Sequence, residues 1–100
     1  MEERIIQQKA ISAATHAIGM TGNRPRYRPY TRHGKKFYTP WRNRYVTSLD
    51  DETWQWLMKQ GYADYGYANK ALNMGCFWLT RKGLDWLGEQ TGITIHDESD

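Results

Sequence analysis

Residues 54 to 61 read Trp-Gln-Trp-Leu-Met-Lys-Gln-Gly, and they carry the clearest periodic pattern in the chain. Trp54, Leu57 and Met58 are spaced i, i+3 and i+4, so in a helix they share one face. Gly61 follows, and glycine readily takes the left-handed conformation that closes a helix. The pattern therefore predicts a short amphipathic helix that ends before Gly61.

The residues before this helix predict its start. Ser48 and Asp50 are both suitable N-caps, because a short side-chain oxygen accepts a hydrogen bond from the free N–H groups of the first turn. Three consecutive carboxylates, Asp50, Asp51 and Glu52, favour the positive end of the helix dipole. Capping explains this acidic cluster, so we do not interpret it as a metal or acid–base site.

The chain downstream of this helix predicts a hairpin and a last helix. Residues 62 to 67 and the apolar run 76 to 79 are strand candidates joined by a polar loop. Thr80 is a suitable N-cap for a helix over residues 81 to 90, and Gly92 ends that helix.

Upstream, residues 2 to 18 predict an N-terminal helix. Its apolar stripe follows the spacing i, i+4, i+7 and i+11 at Ile6, Ala10, Ala13 and Ala17. Gly19 and Gly22 provide exits. The alanine-rich face permits close packing against another helix, in this chain or in a second copy.

Between these parts lies a basic, aromatic segment. Residues 24 to 45 hold eight Lys and Arg, six aromatic residues and no carboxylate. Residues 1 to 49 carry ten Lys and Arg against two Glu, which gives +8, and residues 50 to 100 carry four against nine, which gives −5. The net charge of +3 hides this asymmetry. Three prolines exclude a long helix from the segment.

Within the segment, His33-Gly34 predicts the two-residue turn of a β-ribbon. Such a ribbon sets Arg32 beside Lys35 and Tyr30 beside Phe37. Like charges across a ribbon repel each other, so the arrangement makes more sense with a polyanion to neutralise it. A short strand over residues 45 to 47 follows.

Cations interleaved with flat rings suit a protein that holds a phosphate backbone and stacks on bases. The predicted nucleic-acid-binding residues are the cations and rings of this segment: Arg26, Arg28, Arg32, Lys35, Lys36, Arg42, Arg44, Tyr30, Tyr38 and Trp41. DNA and RNA both fit. Three alternatives stay open: the cations face an acidic protein, they pair with the chain's own acidic half, or the rings only anchor a loop whose cations face water.

Two stretches resemble the C-terminal half of small bacterial winged-helix regulators, which often read L-x-x-x-G-L … Y-x-L-T-x-x-G-x-x-x-L there. They are Trp-Gln-Trp-Leu-Met-Lys-Gln-Gly-Tyr-Ala at 54 to 63 and Phe-Trp-Leu-Thr-Arg-Lys-Gly-Leu-Asp-Trp-Leu at 77 to 87. Pro-Trp-Arg-Asn-Arg-Tyr at 40 to 45 is similar to small phage and prophage proteins. The resemblance, over about residues 40 to 88, implies an α+β winged-helix-like fold: N-terminal helix, basic aromatic arm or ribbon, helix, β-hairpin wing and C-terminal helix.

The chain departs from this family at the surface that reads DNA. The helix before the first wing strand begins with three carboxylates and offers only Gln55, Lys59 and Gln60 to a major groove. The preceding helix of a helix-turn-helix falls at residues 30 to 45, where prolines exclude it. If DNA or RNA is bound, these departures therefore favour contact through residues 24 to 45 and the wing tip near Lys70, and not through the helix at 52 to 60.

The tryptophans separate core from surface. Trp54 and Trp78 are predicted to lie centrally in the core, and Trp56 is predicted to be exposed because it falls off the apolar helix face. Phe77 and Trp78 point to opposite sides of their strand, so one of them is also a candidate for exposure. Exposed rings favour a protein partner or a homodimer.

Other functional classes have little support. Cys76 is the single cysteine, which excludes an internal disulfide and a cysteine zinc site, and we interpret it as a small buried hydrophobe. His16, His33 and His96 lack metal-ligand spacing. No Gly-rich phosphate loop or nucleophile–base motif is present, so no enzyme activity, cofactor or metal is expected.

Length and hydropathy complete the expectation. One hundred residues predict a single domain over 1–100. Its parts are an N-terminal helix at 1–22, a basic aromatic segment at 23–47, a helix-hairpin-helix unit at 48–92 and an acidic tail at 93–100. No apolar run reaches the ~20 residues of a membrane span, so a cytoplasmic protein without membrane contact is expected.

The sequence thus predicts a non-enzymatic nucleic-acid-binding protein, in a phage or prophage regulatory or accessory context. The alternative is a protein-interaction module, such as a phage inhibitor of a host nucleic-acid machine or a virion assembly component.

Overall fold

The computed structural model describes residues 3–20 and 29–96. They form an α+β fold with helices α1 (Glu3–Ala17), α2 (Glu52–Lys59) and α3 (Arg81–Thr91). The strands are β1 (Tyr30–Arg32), β2 (Lys35–Tyr38), β3 (Tyr45–Ser48), β4 (Ala63–Asn69), β5 (Met74–Leu79) and β6 (Thr94–Ile95). The mixed α+β class predicted from the sequence is confirmed.

Helix α2 forms where the apolar spacing predicts it, but its cap differs. The Asp51 carboxylate accepts a hydrogen bond from the Trp54 N–H at 3.1 Å, so Asp51 is the N-cap, and the assignment to Ser48 or Asp50 was wrong. The Ser48 hydroxyl instead accepts from the Asp50 N–H in the turn before the helix. Gly61 has a φ of +83°, as expected of the residue that ends a helix.

A three-stranded antiparallel sheet has the order β3-β5-β4. Its register pairs Tyr45 with Phe77 and Phe77 with Tyr65. Because side chains alternate between the two faces of a strand, Phe77 points towards the helices and is fully buried, whereas Trp78 points away and is 36% exposed. The prediction that Trp78 lies centrally in the core is therefore wrong, and the expectation that one member of this pair is exposed is confirmed.

The second sheet has the order β1-β2-β6. Its hairpin turns at His33 and Gly34, with φ angles of 52° and 78°, and pairs Arg32 with Lys35 and Tyr30 with Phe37. The predicted ribbon register is confirmed residue for residue. Strand β6 lies parallel to β2, with Thr94 beside Phe37. Sequence patterns missed β6, because it is only two residues long and its partner is distant in the chain.

Helix α3 confirms both of its predicted ends. The Thr80 hydroxyl accepts from the Gly83 N–H at 3.1 Å, and Gly92 closes the helix in the left-handed conformation. The same hydroxyl donates to the Gly61 carbonyl oxygen at 2.8 Å, and the Thr80 N–H donates to the Tyr62 carbonyl oxygen at 3.0 Å. These bonds hold the start of α3 against the end of α2.

The core lies between the three helices and the inner face of the β3-β5-β4 sheet. Trp54 stacks on Phe77 with ring centroids 5.3 Å apart, and Ala10 and Ala14 are fully buried on α1, which lets that helix approach α2 closely. Trp56 is only partly exposed and packs against Tyr62 and Trp86. The prediction of an exposed Trp56 is therefore wrong, because its ring belongs to an aromatic cluster with Tyr62 and Trp86.

Candidate nucleic-acid interface

The hairpin of β1 and β2 presents a face of rings and cations, which we call the hairpin face: Tyr30, Arg32, Lys35, Phe37 and His96. Tyr30 stacks on Phe37 at 6.0 Å and 26°, and Phe37 stacks on His96 at 5.5 Å and 16°. The Arg32 guanidinium lies 5.8 Å from the Tyr30 ring centroid. Residues two apart on a strand share a face, so Lys35 lies on the same side as Phe37.

Among the residues that the structure describes, no carboxylate forms a salt bridge with a cation of this face. Arg32 and Lys35 are direct cross-strand partners and both are exposed. Within residues 3–20 and 29–96, no salt bridge joins Arg32, Lys35, Lys36 or Arg44 to an acidic residue, and the exposed pair Arg81–Asp85 lies on α3. The structure thus gives no support, in these parts of the chain, to pairing between the basic segment and the chain's own acidic half.

Tyr38 does not contribute a stacking plane, and its assignment to the binding site is corrected. It alternates to the opposite side of β2 from Phe37 and is only 1% exposed. Its hydroxyl donates to the Ile18 carbonyl oxygen at 3.1 Å beyond the end of α1. Burial raises the pKa of Tyr38 above its ordinary value of 10.0, against the opposing effects of the Arg42 charge and a hydrogen bond from the Trp41 side chain.

Trp41 and Arg42 are anchored to the end of α1. The Trp41 indole N–H donates to the Gly19 carbonyl oxygen at 3.1 Å, and the Arg42 Nη2 donates to the His16 carbonyl oxygen at 2.7 Å. The Arg42 guanidinium also lies 4.9 Å from the Trp41 ring centroid. Cations near the end of a helix stabilise its free carbonyl groups. Trp41 nevertheless remains 42% exposed, so it stays a candidate contact.

Gly19 shows how closely Trp41 covers this helix end. Gly19 has a φ of +79°, and an added Cβ atom there would lie 2.2 Å from the Trp41 Nε1 atom. Only glycine fits both the backbone conformation and the space. The helix exit predicted at Gly19 is therefore confirmed. The Trp41 ring of the basic segment packs directly against this glycine.

Asn43 and Arg44 continue this attachment. The Asn43 side chain accepts from the Leu79 N–H and donates to the Leu79 carbonyl oxygen, both at 2.9 Å. The Arg44 N–H donates to the Ala17 carbonyl oxygen at 3.1 Å, while its exposed side chain lines a shallow pocket with His16, Tyr45 and Val46. Residues 41 to 44 therefore join α1 to β5, a role that sequence analysis did not assign to them.

The predicted wing tip carries a smaller cluster of the same kind. The Lys70 ammonium lies 4.7 Å from the Tyr67 ring centroid, and Tyr67 is 58% exposed. By contrast, the exposed Glu52 starts helix α2 and its first turn carries no cation. Phosphate contact at the start of α2 is therefore unfavourable, whereas the wing tip remains available.

Sequence reasoning missed two residues of the hairpin face. Phe37 was paired with Tyr30 but was not named as a binding residue, and His96 was assigned to the acidic tail. The alternation along β2 provides the signal for Phe37, since it shares a face with Lys35 and not with Tyr38. His96 joins the face only because β6 pairs with β2. The predicted contacts Arg26 and Arg28, the exit at Gly22 and residues 97–100 lie outside the described residues.

The Tyr38 hydroxyl gives a prediction about stability. We expect Tyr38→Phe to lower the free energy of unfolding by about 1–2 kcal/mol near pH 8, because the change leaves the buried Ile18 carbonyl oxygen without its donor. The raised pKa means that Tyr38 ionises more readily in the unfolded chain. The advantage of the wild type is therefore complete below pH 10 and is lost as the pH rises through the raised value.

Urea unfolding of both proteins, followed by tryptophan fluorescence at about pH 8 and about pH 11, measures this difference. A difference between the two proteins that is the same at both pH values would contradict the buried position of the hydroxyl.

Comparison of the chain with protein-family models, with curated proteins and with solved structures gives no significant match. In the part of the chain that the structure describes, no helix is long and apolar enough to cross a membrane. The same residues contain no group of three His, Cys, Asp or Glu side chains placed to hold a metal ion.

Proposed function

We propose that this protein is a non-enzymatic nucleic-acid-binding protein that contacts phosphates and bases through the hairpin face. The observation that carries the proposal is the pairing of Arg32 with Lys35 beside the stacked rings of Tyr30 and Phe37. Like charges placed directly opposite each other destabilise a hairpin. A phosphate between them turns this repulsion into two favourable contacts.

The rings supply the second half of the binding chemistry. Tyr30 is 43% exposed at the edge of the stack, next to Arg32. An exposed aromatic ring beside a guanidinium offers a plane on which an unpaired base stacks, and such stacking contributes about 1–3 kcal/mol per base. Phosphates held by the cations and a base held by Tyr30 suit a single strand, or the end of a duplex, in either DNA or RNA.

Four exposed cations of the basic segment supply the positive charge: Arg32 and Lys35 on the hairpin face, Lys36 on the opposite side of β2, and Arg44 beside β3. If each neutralises one phosphate, the slope of log K against log salt is about −2.8 for a single strand and about −3.6 for duplex DNA. Arg42 adds to the positive electrostatic potential, but its guanidinium already donates a hydrogen bond to the His16 carbonyl oxygen. Arg26 and Arg28 belong to the same proposed surface by sequence.

The test is fluorescence anisotropy with labelled single-stranded DNA, duplex DNA and RNA at several salt concentrations. We expect Arg32→Glu with Lys35→Glu to weaken binding by roughly 30-fold or more, because two phosphate contacts become repulsions. The matched control is Lys9→Glu with Lys59→Glu, which changes the net charge equally on exposed positions of α1 and α2. The control pair should weaken binding by no more than about 3-fold.

Two results would contradict the proposal. One is an absence of wild-type binding at low salt. The other is an equal loss in the hairpin variant and the control, because that would show a response to net charge and not to the hairpin face.

The finer features in this proposal come from the resemblance over about residues 40 to 88. They are the winged-helix-like arrangement, with β4 and β5 as the wing, and the phage or prophage regulatory or accessory role. The exposed Tyr67 and Lys70 near the end of the β4–β5 hairpin support a second contact there.

A protein-interaction module is the second candidate, and one observation favours it. The outer side of the β3-β5-β4 sheet exposes Val46 and Trp78, at 54% and 36%. An apolar sheet face of this kind suits a protein surface better than a phosphate backbone.

A further inference from the structure

Five side chains lie together on the outer side of the β3-β5-β4 sheet, and we call this group the outer sheet face: Arg44, Val46, Asp64, Cys76 and Trp78. Tyr45 and Phe77 point into the core, so Val46, Cys76 and Trp78 point outward by strand alternation. Gly66 lies on this side as well, and a Cβ atom added there would lie 3.7 Å from the Trp78 ring. The centre of this face is therefore apolar, and Gly66 adds no side chain to it.

The strand register places two opposite charges at the two edges of this face. Asp64 pairs directly with Trp78 across β4 and β5. On the other edge, Tyr45 pairs with Phe77, and Asn43 bonds both the N–H and the carbonyl oxygen of Leu79. Arg44 therefore lies level with Trp78. One row across the sheet thus reads Arg44, Trp78, Asp64.

Neither charge of this row is balanced within the described parts of the chain. Arg44 and Asp64 are both exposed, and neither forms a salt bridge there. The Asp64 carboxylate accepts one hydrogen bond, from the N–H of Tyr65 at 2.8 Å, and keeps its remaining acceptor capacity. A partner for this face needs an apolar centre flanked by a carboxylate opposite Arg44 and a cation opposite Asp64.

We propose that this partner is a second copy of the same chain, bound face to face about a two-fold axis that runs parallel to β5. Such an axis carries β3 of one subunit over β4 of the other at the same height along the strands. Arg44 then lies opposite Asp64 of the partner subunit, Asp64 lies opposite Arg44 of the partner subunit, and the two Trp78 rings meet at the axis. The face is self-complementary, as a two-fold interface requires.

The size of the face sets the strength of the dimer. Three strands spaced about 4.8 Å apart, each with about five residues, give a face of roughly 15 by 17 Å. This footprint is well below the ~800 Å² per partner of a standard stable interface. The dimer is therefore weak and reversible, with a dissociation constant between about 10 μM and 1 mM.

The test is sedimentation equilibrium of the full chain from about 10 μM to 2 mM, without nucleic acid, at low and moderate salt. We expect Arg44→Glu alone and Asp64→Lys alone each to raise the dissociation constant by at least about 10-fold, because each places two like-charge pairs across the interface. The double variant should return to within about 3-fold of the wild type, since the two charges are exchanged. Val46→Lys, at an exposed position, should weaken the dimer without changing the circular dichroism spectrum.

The control variant carries Lys59→Glu with Glu89→Lys, which exchanges two exposed charges on α2 and α3, away from the face. It should leave the dissociation constant unchanged. A wild type that stays monomeric at about 2 mM overturns the proposal. So does a double variant that fails to recover, or a dimer that Val46→Lys leaves intact. Since the measurement contains no nucleic acid, its outcome is independent of the function proposed for the hairpin face.

Discussion

Replacing Gly83 with alanine is expected to destabilise the protein severely. An added Cβ atom would lie 1.9 Å from the Tyr62 carbonyl oxygen and 2.8 Å from its carbonyl carbon. Both positions belong to the backbone, so no rotation of a flexible side chain relieves the clash. The Tyr62 carbonyl oxygen is also fixed as the acceptor of the Thr80 N–H. Relief requires α3 to move away from the start of β4.

The sign of this effect separates tertiary packing from local propensity. In an exposed helix, glycine to alanine stabilises by about 1 kcal/mol. Overpacking of a core typically costs about 1–3 kcal/mol, and a clash between backbones lies at the upper end or beyond. We therefore expect a loss of at least about 3 kcal/mol, against a total stability of about 5–15 kcal/mol for a chain of this size.

Urea unfolding followed by far-ultraviolet circular dichroism measures this loss. Gly66→Ala is the matched control, because its Cβ atom would meet only the Trp78 ring, at 3.7 Å. That change should cost little, or stabilise β4 slightly. A Gly83→Ala variant that is more stable than the wild type would contradict the close crossing of α3 and residue 62.

The close contact at Gly83 also shows which structural features can be predicted from local sequence patterns and which cannot. Short-range chemistry was sufficient for the ends of α3 and for the hairpin register, because a cap or a two-residue turn involves neighbours in the chain. The same patterns contain no information on which backbone passes over Gly83. That contact joins residues 62 and 83, and it exists only when two elements pack.

The tryptophans illustrate the same distinction. Trp54 falls on the apolar helix face and is 1% exposed, as its spacing predicts. Trp56 falls off that face, yet it is partly buried, because Tyr62 and the α3 residue Trp86 pack against it on a second side of α2. Trp78 was predicted to be in the core because of its position in an apolar strand. The side of β5 that the helices cover depends on their arrangement, which hydropathy alone does not supply.

The predictions for the candidate nucleic-acid interface show the same difference between local patterns and tertiary packing. The cations and rings of the basic segment identify it as a surface of interest, and the hairpin places Tyr30, Arg32 and Lys35 together. Tyr38 was misassigned because the binding residues were chosen by composition, without applying the strand alternation that the predicted ribbon implies. Trp41 and Arg42 were counted as contacts, although both bond carbonyl oxygens at the end of α1, more than twenty residues earlier in the chain.

Asn43 gives the second large effect that we expect. Its amide group makes two hydrogen bonds to the backbone of Leu79, both 2.9 Å long and both partly buried. Its side chain thereby extends the pairing between β3 and β5 by one more position, two residues before β3 begins. Removing one partner of a buried hydrogen bond leaves the other unsatisfied, at a cost of about 1–3 kcal/mol.

Asn43→Asp is the most informative change at this position, because it nearly preserves shape and removes only the donor. Above the pH at which the new carboxyl ionises, a carboxylate oxygen would face the Leu79 carbonyl oxygen, and both would be acceptors. We expect a loss of about 3 kcal/mol near pH 7. A protonated carboxyl regains a donor for the same carbonyl oxygen, so this loss should shrink as the pH falls towards 3.

Asn43→Ala is the control, because it loses both bonds and cannot regain a donor. Its deficit relative to the wild type should not recover on acidification. Urea unfolding of the three proteins at about pH 7 and about pH 3.5 measures both effects. Equal pH dependence in the two variants would show that the side chain of residue 43 does not bond Leu79 in solution. A selective recovery of Asn43→Asp would establish that this one amide joins the basic segment to β5.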